Sequence, residues 1–419
     1  MTSPATEASA LNEPSLRVRV PFLLTLSLAN LGIMLAFYTP IQNLLPRLSE
    51  QIAGADGKET ALAWVTGVGA FVAIIANPLA GAMSDRTTSR FGRRRPWILL
   101  GAVIGAVLIA LLSTQTTVVG LAVLWGLGQA AVNGAYSAMT ATIPDQVPVA
   151  QRGVASGWVG MSQTLGIVLG VALVSFVISG LAGGTYVTAL LLVLLVIPFL
   201  FVIKDSRLAK ADRPPFHLGQ FLRDFWVSPR KHPDFAWAWT ARFLVSLGSA
   251  MATLYLLFFL QDRVGQPQSE ASQSQTVLIA LYAVGTMVTA VIGGILSDRS
   301  GRRKVYVIGA SVVMAIAAFI LVGTTTMQMA MIAALILGLG YGAYLAVDQA
   351  LITQVLPRAE DRARDLGVIN IANSAPQVLG PVIAAPLVTS FGGYPALYVA
   401  TAIITLLGAA AIIPIRSVR

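Results

Sequence analysis

From Val20 to Ile415 the charged residues fall in short patches, and the stretches between them stay apolar for about 20 residues or more. That is the length of helix needed to cross a bilayer core. Twelve such stretches lie near 20–45, 61–84, 96–115, 118–143, 153–180, 184–203, 235–261, 273–297, 304–324, 327–356, 366–390 and 394–415. A backbone crossing lipid must satisfy its polar groups internally, and long apolar runs do so as helices. The spans predict an all-α membrane protein of twelve transmembrane helices. Charged residues make up 11% of the chain against 56% hydrophobic, whereas a soluble domain carries about 25% charge.

The net charge of +10 reads as topology rather than nucleic-acid binding. With the amino terminus inside, all but four of the 28 Lys and Arg residues fall on the cytoplasmic side, as the positive-inside rule requires. The four are Arg242 within a span, and Arg47, Lys58 and Arg263 beyond the opposite ends. Both termini are therefore expected in the cytoplasm, with the chain in the plasma (inner) membrane. Arg17 and Arg19 precede the first span, which is too long for a signal-peptide core and is expected to remain uncleaved. The chain has no cysteine, and both histidines, His217 and His232, lie in one polar loop. No disulfide, metal centre or cofactor is expected.

The connection 204–234 is the one long polar one, and it divides the chain into a tail (1–19), a six-span bundle (20–203), a linker (204–234), a second bundle (235–415) and a short tail (416–419). The halves repeat. Gly81 to Pro96, G-A-M-S-D-R-T-T-S-R-F-G-R-R-R-P, has a shorter counterpart at Gly294 to Lys304, G-I-L-S-D-R-S-G-R-R-K. Gly126-Leu127-Gly128 matches Gly338-Leu339-Gly340, and Gly153, Val154, Gln163 and Gly166 match Gly367, Val368, Gln377 and Gly380. Leu28, Leu31 and Gly32 match Leu244, Leu247 and Gly248. The expected fold is two pseudo-symmetric six-helix bundles with a site between them, as in carriers built from parallel repeats.

These repeated loops resemble the G-x3-D-R/K-x-G-R-R/K signature of the major facilitator superfamily, in both of its positions. The longer first copy, S-D-R-T-T-S-R-F-G-R-R-R-P, is similar to the sugar cation symporters of the glycoside–pentoside–hexuronide type, especially their sucrose branch. Thr39-Pro40-Ile41-Gln42 is similar to a short element of that branch, but Ala138 to Thr142 ends in threonine where those carriers place an acid. The resemblance implies a secondary carrier of sugars or glycosides, functional as a monomer and coupled to protons, with sodium as the alternative ion. A proton-coupled drug exporter of the same superfamily is the competing reading. Against it, span five has Gly157, Gly166 and Gly170 but Val171 where exporters carry proline. A membrane enzyme or receptor finds no support in any phosphate-loop, zinc-protease or nucleophile-elbow pattern.

An ionic group inside the bilayer is costly and so marks function by default. Asp348 in span ten and Arg242 in span seven lie at similar depth, about 13 and 10 Å from the cytoplasmic ends at 1.5 Å per residue. They form either a pair that exchanges for a proton or substrate, or a static ion pair. Uncharged polar residues recur at helical spacing and are expected to bind the solute: Asn30, Tyr38 and Gln42 in span one, Gln129, Asn133 and Tyr136 in span four, and Gln163 in span five. Tyr341 and Tyr344 in span ten, with Asn370, Asn373 and Gln377 in span eleven, complete the set. Amides and phenols suit a neutral polyhydroxyl ligand, and also suit bridges between packed helices. For the loop charges, the resemblance implies a cytoplasmic gate formed by Asp85, Arg86, Arg93, Asp145 and Arg152 in one half and by Asp298, Arg299, Arg302, Asp361 and Arg364 in the other.

Overall fold

The computed structural model describes residues 14, 16–178, 180–205, 207–208, 219, 229–355 and 362–417, and within these all side chains except those of 149–150, 153, 298, 349–350, 352–355, 362–370 and 373–374. Most of the expected linker lies outside the described residues.

Twelve long helices occupy the positions of the twelve spans. They are α1 (Val20–Ala53), α2 (Lys58–Asp85), α3 (Arg95–Thr114), α4 (Val118–Gln146), α5 (Val149–Ala172) and α6 (Leu181–Val202), then α7 (Pro233–Leu254, continued as Leu256–Asp262), α8 (Gln268–Ser300), α9 (Arg303–Gly323), α10 (Met327–Val355), α11 (Arg362–Thr389) and α12 (Gly393–Ile412). Ten contain a stretch long and apolar enough to cross a membrane; α7 joins them if its two bent parts count as one, and in α11 the described apolar stretch is Ala375–Thr389. The outer surface carries many exposed large apolar side chains. Phe201, Val291 and Trp64 are 82%, 63% and 66% exposed, an arrangement that water would penalise and lipid tails accept.

The packing repeats across the two halves. In the first, α4 packs on α2 and α3, α1 packs on α5 and α6, and α3 packs on α6. The second shows the same pairs six helices on: α10 on α8 and α9, α7 on α11 and α12, and α9 on α12. The bundles meet where α2 faces α11 and where α5 faces α8, which are again equivalent pairs. Close crossings depend on small residues. A Cβ at Gly338 or Gly342 would stand 2.2 Å from the carbonyl oxygens of Tyr282 or Thr286 on α8.

The first helix of each bundle is interrupted at an equivalent level. A π-helical turn at Pro40–Leu44 widens α1, and α7 bends by 43° at Tyr255. Proline supplies a cause in α1, because it lacks the N–H that an α-helical turn would use. No glycine or proline marks the break in α7.

The described residues nearest the two termini share one face with the basic loops. Here Asp234 accepts from the backbone N–H groups of Arg416 and Ser417 at 3.1 and 2.8 Å, and Gln151 pairs with both backbone polar groups of Val18. This is termed the termini face.

Candidate functional site

A cavity of about 1050 Å³, its mouth included, lies between the bundles at the level of the two helix breaks. Tyr38, Ile41 and Gln42 of α1 line it from one side. Ser249, Thr253 and Leu254 of α7, Tyr282 of α8, Tyr341 of α10 and Gln377 of α11 line it from the other. Its lining is apolar apart from phenols, hydroxyls and amides; no charged side chain is among the lining residues described. The rings of Tyr282 and Tyr341 lie 5.8 Å apart, and those of Tyr341 and Tyr344 6.3 Å apart. A row of aromatic rings thus leads from the cavity into the second bundle. A smaller space beside it shares Ile41, Ala250, Leu254 and Gln377 and adds Gln129.

That row ends at the charged pair. Arg242 Nε stands 3.2 Å from Asp348 Oδ2, with side chains 3% and 0% exposed. The approach is misaligned for a hydrogen bond, and the Tyr344 hydroxyl lies beside the carboxylate, but neither carboxylate oxygen nor that hydroxyl reaches full hydrogen-bond geometry with a described residue. Buried polar groups are nearly always satisfied, so such an exception signals a water, an ion or a functional role.

Of the expected ligand contacts, Tyr38, Gln42, Tyr341 and Gln377 line the central cavity and Gln129 the smaller space. Asn30 instead bridges helices: its amide donates to Val159 O and Ser162 Oγ, both at 2.9 Å. Asn133 donates to the carbonyl and the side chain of Gln129, each at 2.8 Å. Tyr136 packs edge-on to Phe37 at 6.2 Å. Gln163 is half-buried on α5, away from the lining residues. Tyr344 is buried behind Tyr341. The side chains of Asn370 and Asn373 lie outside the described residues. Sequence reasoning missed Tyr282, Ser249 and Thr253; the last two sit one helical turn apart on α7, a weak polar stripe that could have been read.

On the termini face the hub is Arg94, which was not singled out. Its guanidinium meets Asp145 Oδ2 at 2.9 Å, Ser84 Oγ at 2.5 Å and Asp85. Burial favours the neutral form of Arg94, but Asp145 and Asp85 outweigh it and hold its pKa above the ordinary arginine value. Arg93 pairs with the other oxygen of Asp145 at 2.7 Å. Asp205, just past α6, accepts from the backbone N–H groups of Arg94 and Arg95 at 2.7 Å each, capping the start of α3. Gly92 has φ +98°, and a Cβ there would come within 2.2 Å of the Asp205 carboxylate, so glycine is required twice over. All of these contacts join elements of the first bundle. Arg152 donates to the carbonyls of Val147 and Pro144, and Arg86 also takes part in an interaction. Arg299 and Arg302 are exposed. The side chains of Asp298 and Arg364, and Asp361 entirely, lie outside the described residues.

The opposite face carries polar contacts across the two bundles. Lys58 Nζ is 2.6 Å from Asp262 Oδ1 and lies over the ring of Phe258. The Tyr255 hydroxyl donates to Glu59 O at 3.2 Å, and Gln261 and Gln268 donate to Glu50 at 3.3 and 2.9 Å. Gln275 donates to the carbonyl of Gln42 at 2.7 Å. Each of these contacts links α1 or α2 to α7 or α8, and sequence reasoning foresaw none of them.

Two quasi-equivalent six-helix bundles around a shared central cavity, with broken helices beside it, define a multi-pass membrane carrier. The chain belongs to the Major Facilitator Superfamily, whose family model matches residues 20–274 and 268–418. Among curated relatives, the "General alpha-glucoside permease" of Schizosaccharomyces pombe is 28% identical over 165 residues, covering 36% of this chain and 29% of the permease. "Multidrug resistance protein MdtL" of Shewanella oneidensis is 30% identical over 149 residues, covering 34% of this chain and 37% of that protein. The matches thus span about a third of each relative. Among solved structures, the nucleoside transporter NupG superposes with a TM-score of 0.73 at 14% identity, covering 95% of this chain and 99% of that one. A mutant form of the same transporter superposes with a TM-score of 0.74 at 13% identity, covering 94% of this chain and 99% of that one. At such identity the likeness is one of fold.

Proposed function

We propose that the protein is a proton-coupled symporter for a sugar or glycoside, working by alternating access, with the termini face in the cytoplasm. The observation that carries the solute class is the cavity lining. Three phenols, two amides and two hydroxyls stand among apolar side chains, with no charge among the described lining residues. Rings and hydrogen-bonding edges of this kind suit a neutral polyhydroxyl ligand with an apolar flat side, and the described lining residues supply no counter-charge for a cationic drug. The similarity to an alpha-glucoside permease supports this reading. The similarity to a multidrug resistance protein favours the competing one, a drug/proton exporter.

The buried Arg242–Asp348 pair supports proton coupling. Tyr341 belongs to the cavity, and its ring lies 6.3 Å from that of Tyr344 beside that pair, so solute in the cavity has a packed route to the charge. The bonded opposite face supports an inward-facing state. Uptake of a radiolabelled α-glucoside into proteoliposomes, with and without an imposed proton gradient, tests the proposal. Accumulation against a concentration gradient, abolished by a protonophore and by Asp348→Asn, is expected. Gradient-driven movement of a lipophilic cation without glucoside uptake would establish the exporter instead.

A further inference from the structure

Where α2 meets α7 and α12 on the opposite face, two carboxylates, Glu59 and Asp262, stand beside one cation, Lys58. Lys58 and Glu59 begin α2 in the first bundle, while Asp262 ends α7 and Tyr394 begins α12 in the second. Asp262 receives both available donors, Lys58 Nζ at 2.6 Å on Oδ1 and the Tyr394 hydroxyl at 2.7 Å on Oδ2. Glu59 Oε1 stands 3.5 Å from the same Tyr394 oxygen. A phenol has one proton, and the shorter contact holds it, so Glu59 faces the lone pairs of Tyr394. Two acceptors confront each other across the seam unless Glu59 itself carries a proton.

The surroundings offer Glu59 no second cation among the described residues. The residue is 7% exposed, and Lys58, its neighbour in sequence, attracts it from a distance but bonds Asp262. The one backbone donor to its carboxyl is its own N–H, against which burial and the Asp262 charge disfavour the ionised form. From α7, Tyr255 donates to the backbone carbonyl of Glu59 rather than to its carboxyl. On α1, Glu50 is bonded to Gln261 and Gln268, and Arg47 is turned to Asn43 at 3.3 Å. On α12, Tyr398 is fully buried against Phe259.

We propose that Glu59 is a proton-binding switch of the opposite face: protonated, it donates to Tyr394 and fastens α2 to α12; ionised, it sets two carboxylates against one ammonium and loosens the seam. The relay then runs from Glu59 through Tyr394 to Asp262 and Lys58, with every proton assigned. Low pH on that side closes the face, and high pH opens it. The proton taken up is distinct from any carried by Asp348 and acts on the seam rather than the cavity. The inference rests on the reading that this face opens and closes during transport.

The native chain has no cysteine, so spin labels can be placed without background. Labels at Ala55→Cys and Ser269→Cys, both exposed and on opposite sides of the seam, report its width by double electron–electron resonance in nanodiscs between pH 5 and 8.5. The wild-type distance distribution is expected to move from short to long as pH rises. Glu59→Gln, whose amide can still donate to Tyr394, is expected to remain short throughout. Should Glu59→Gln fail to fold, Tyr394→Phe removes the acceptor, and the seam is expected to be wider than in wild type at low pH, with a smaller response to pH. A pH-independent wild-type seam, or an unchanged pH response in either variant, overturns the switch. Glucoside uptake accompanied by a seam that ignores pH removes the switch alone. A pH-driven seam abolished by Glu59→Gln, in a protein that moves no solute, removes the transport reading and leaves the switch standing.

Discussion

The buried charge pair of the second bundle allows a quantitative test, because its two members differ in what happens when each is left alone. Asp348→Asn leaves the Arg242 guanidinium, 3% exposed, without its anion. A guanidinium does not shed its proton, so the full penalty of an unpaired buried charge applies, about 3–5 kcal/mol. Arg242→Gln leaves a carboxylate, and a carboxylate has an escape that arginine lacks, protonation. That loss is expected near 1–2 kcal/mol, the order of a single buried polar group left wanting. The double variant Arg242→Gln/Asp348→Asn removes both charges and is expected within about 1 kcal/mol of wild type, as for neutralised buried pairs elsewhere. For a unit of 150–250 residues about 2–4 °C accompanies each kcal/mol. Asp348→Asn is therefore expected to lower the midpoint by roughly 10 °C, and the double variant to recover most of it. Tryptophan-monitored thermal unfolding of the purified protein, carried through all four members of the cycle, reads the coupling directly. Equal losses in the two single variants that simply add in the double would refute the argument and show that the groups do not interact.

Further predictions concern the termini face and the helix crossings. Asp205→Ala is expected to cost about 2–4 kcal/mol, since it strips two backbone N–H groups of a charged acceptor; loss of amide-exchange protection confined to the start of α3 would verify the location. Gly92→Ala is expected to cost a similar amount, about 1–2 kcal/mol of it from the left-handed backbone and the rest from the approach to Asp205, as read by unfolding midpoint. Gly338→Ala is expected to destabilise by about 1–3 kcal/mol through overpacking against Tyr282, measured in the same way. The elevated pKa of Arg94 implies a stabilising contribution fully present below the value of an unfolded arginine and lost only above the still higher folded one. The midpoint should therefore show no fall attributable to Arg94 between pH 7 and 10, whereas Arg94→Lys should add a decline near pH 10, where an ordinary ammonium titrates.

Much of the architecture was legible because hydropathy alone fixes where a chain can cross lipid. The matching loops at Asp85 and Asp298 disclosed the repeat. The site was less legible, for reasons visible in single residues. Asn30 and Gln42 lie twelve positions apart on one helix and are both amides; only the placement of α5, with Ser162 and the Val159 carbonyl beside Asn30, assigns one to packing and leaves the other to the cavity. Tyr282 stood in an apolar stretch like any core aromatic. Lys58 and Asp262 sit at helix ends, where charge is ordinary, and their 2.6 Å contact depends on bringing the two halves together. The break at Tyr255 has no local signal, since neither glycine nor proline lies within it.

The two polar networks must then play different parts. A contact biases a conformational equilibrium only if it differs between the states. Arg94 joins Asp85, Asp145 and Ser84, and Asp205 caps the same loop, all within one bundle. If the bundles rock as rigid bodies, those bonds persist in both states and stabilise the bundle without favouring either. Lys58–Asp262 crosses the seam and exists only while the opposite face is closed. The side chain of Asp262 is 36% exposed, so solvent reduces the worth of the pair to about 1 kcal/mol, a shift of roughly fivefold in population. At pH 5, where Glu59 is protonated in the proposed switch and Asp262 is the sole partner of Lys58, Asp262→Asn is accordingly expected to raise the open-face population about fivefold, seen in the same label distances, with little change in unfolding midpoint. Arg94→Ala is expected to lower the midpoint and leave the distances alone. A reversal of that pattern would mean that the Arg94 hub, rather than the opposite seam, governs which face opens.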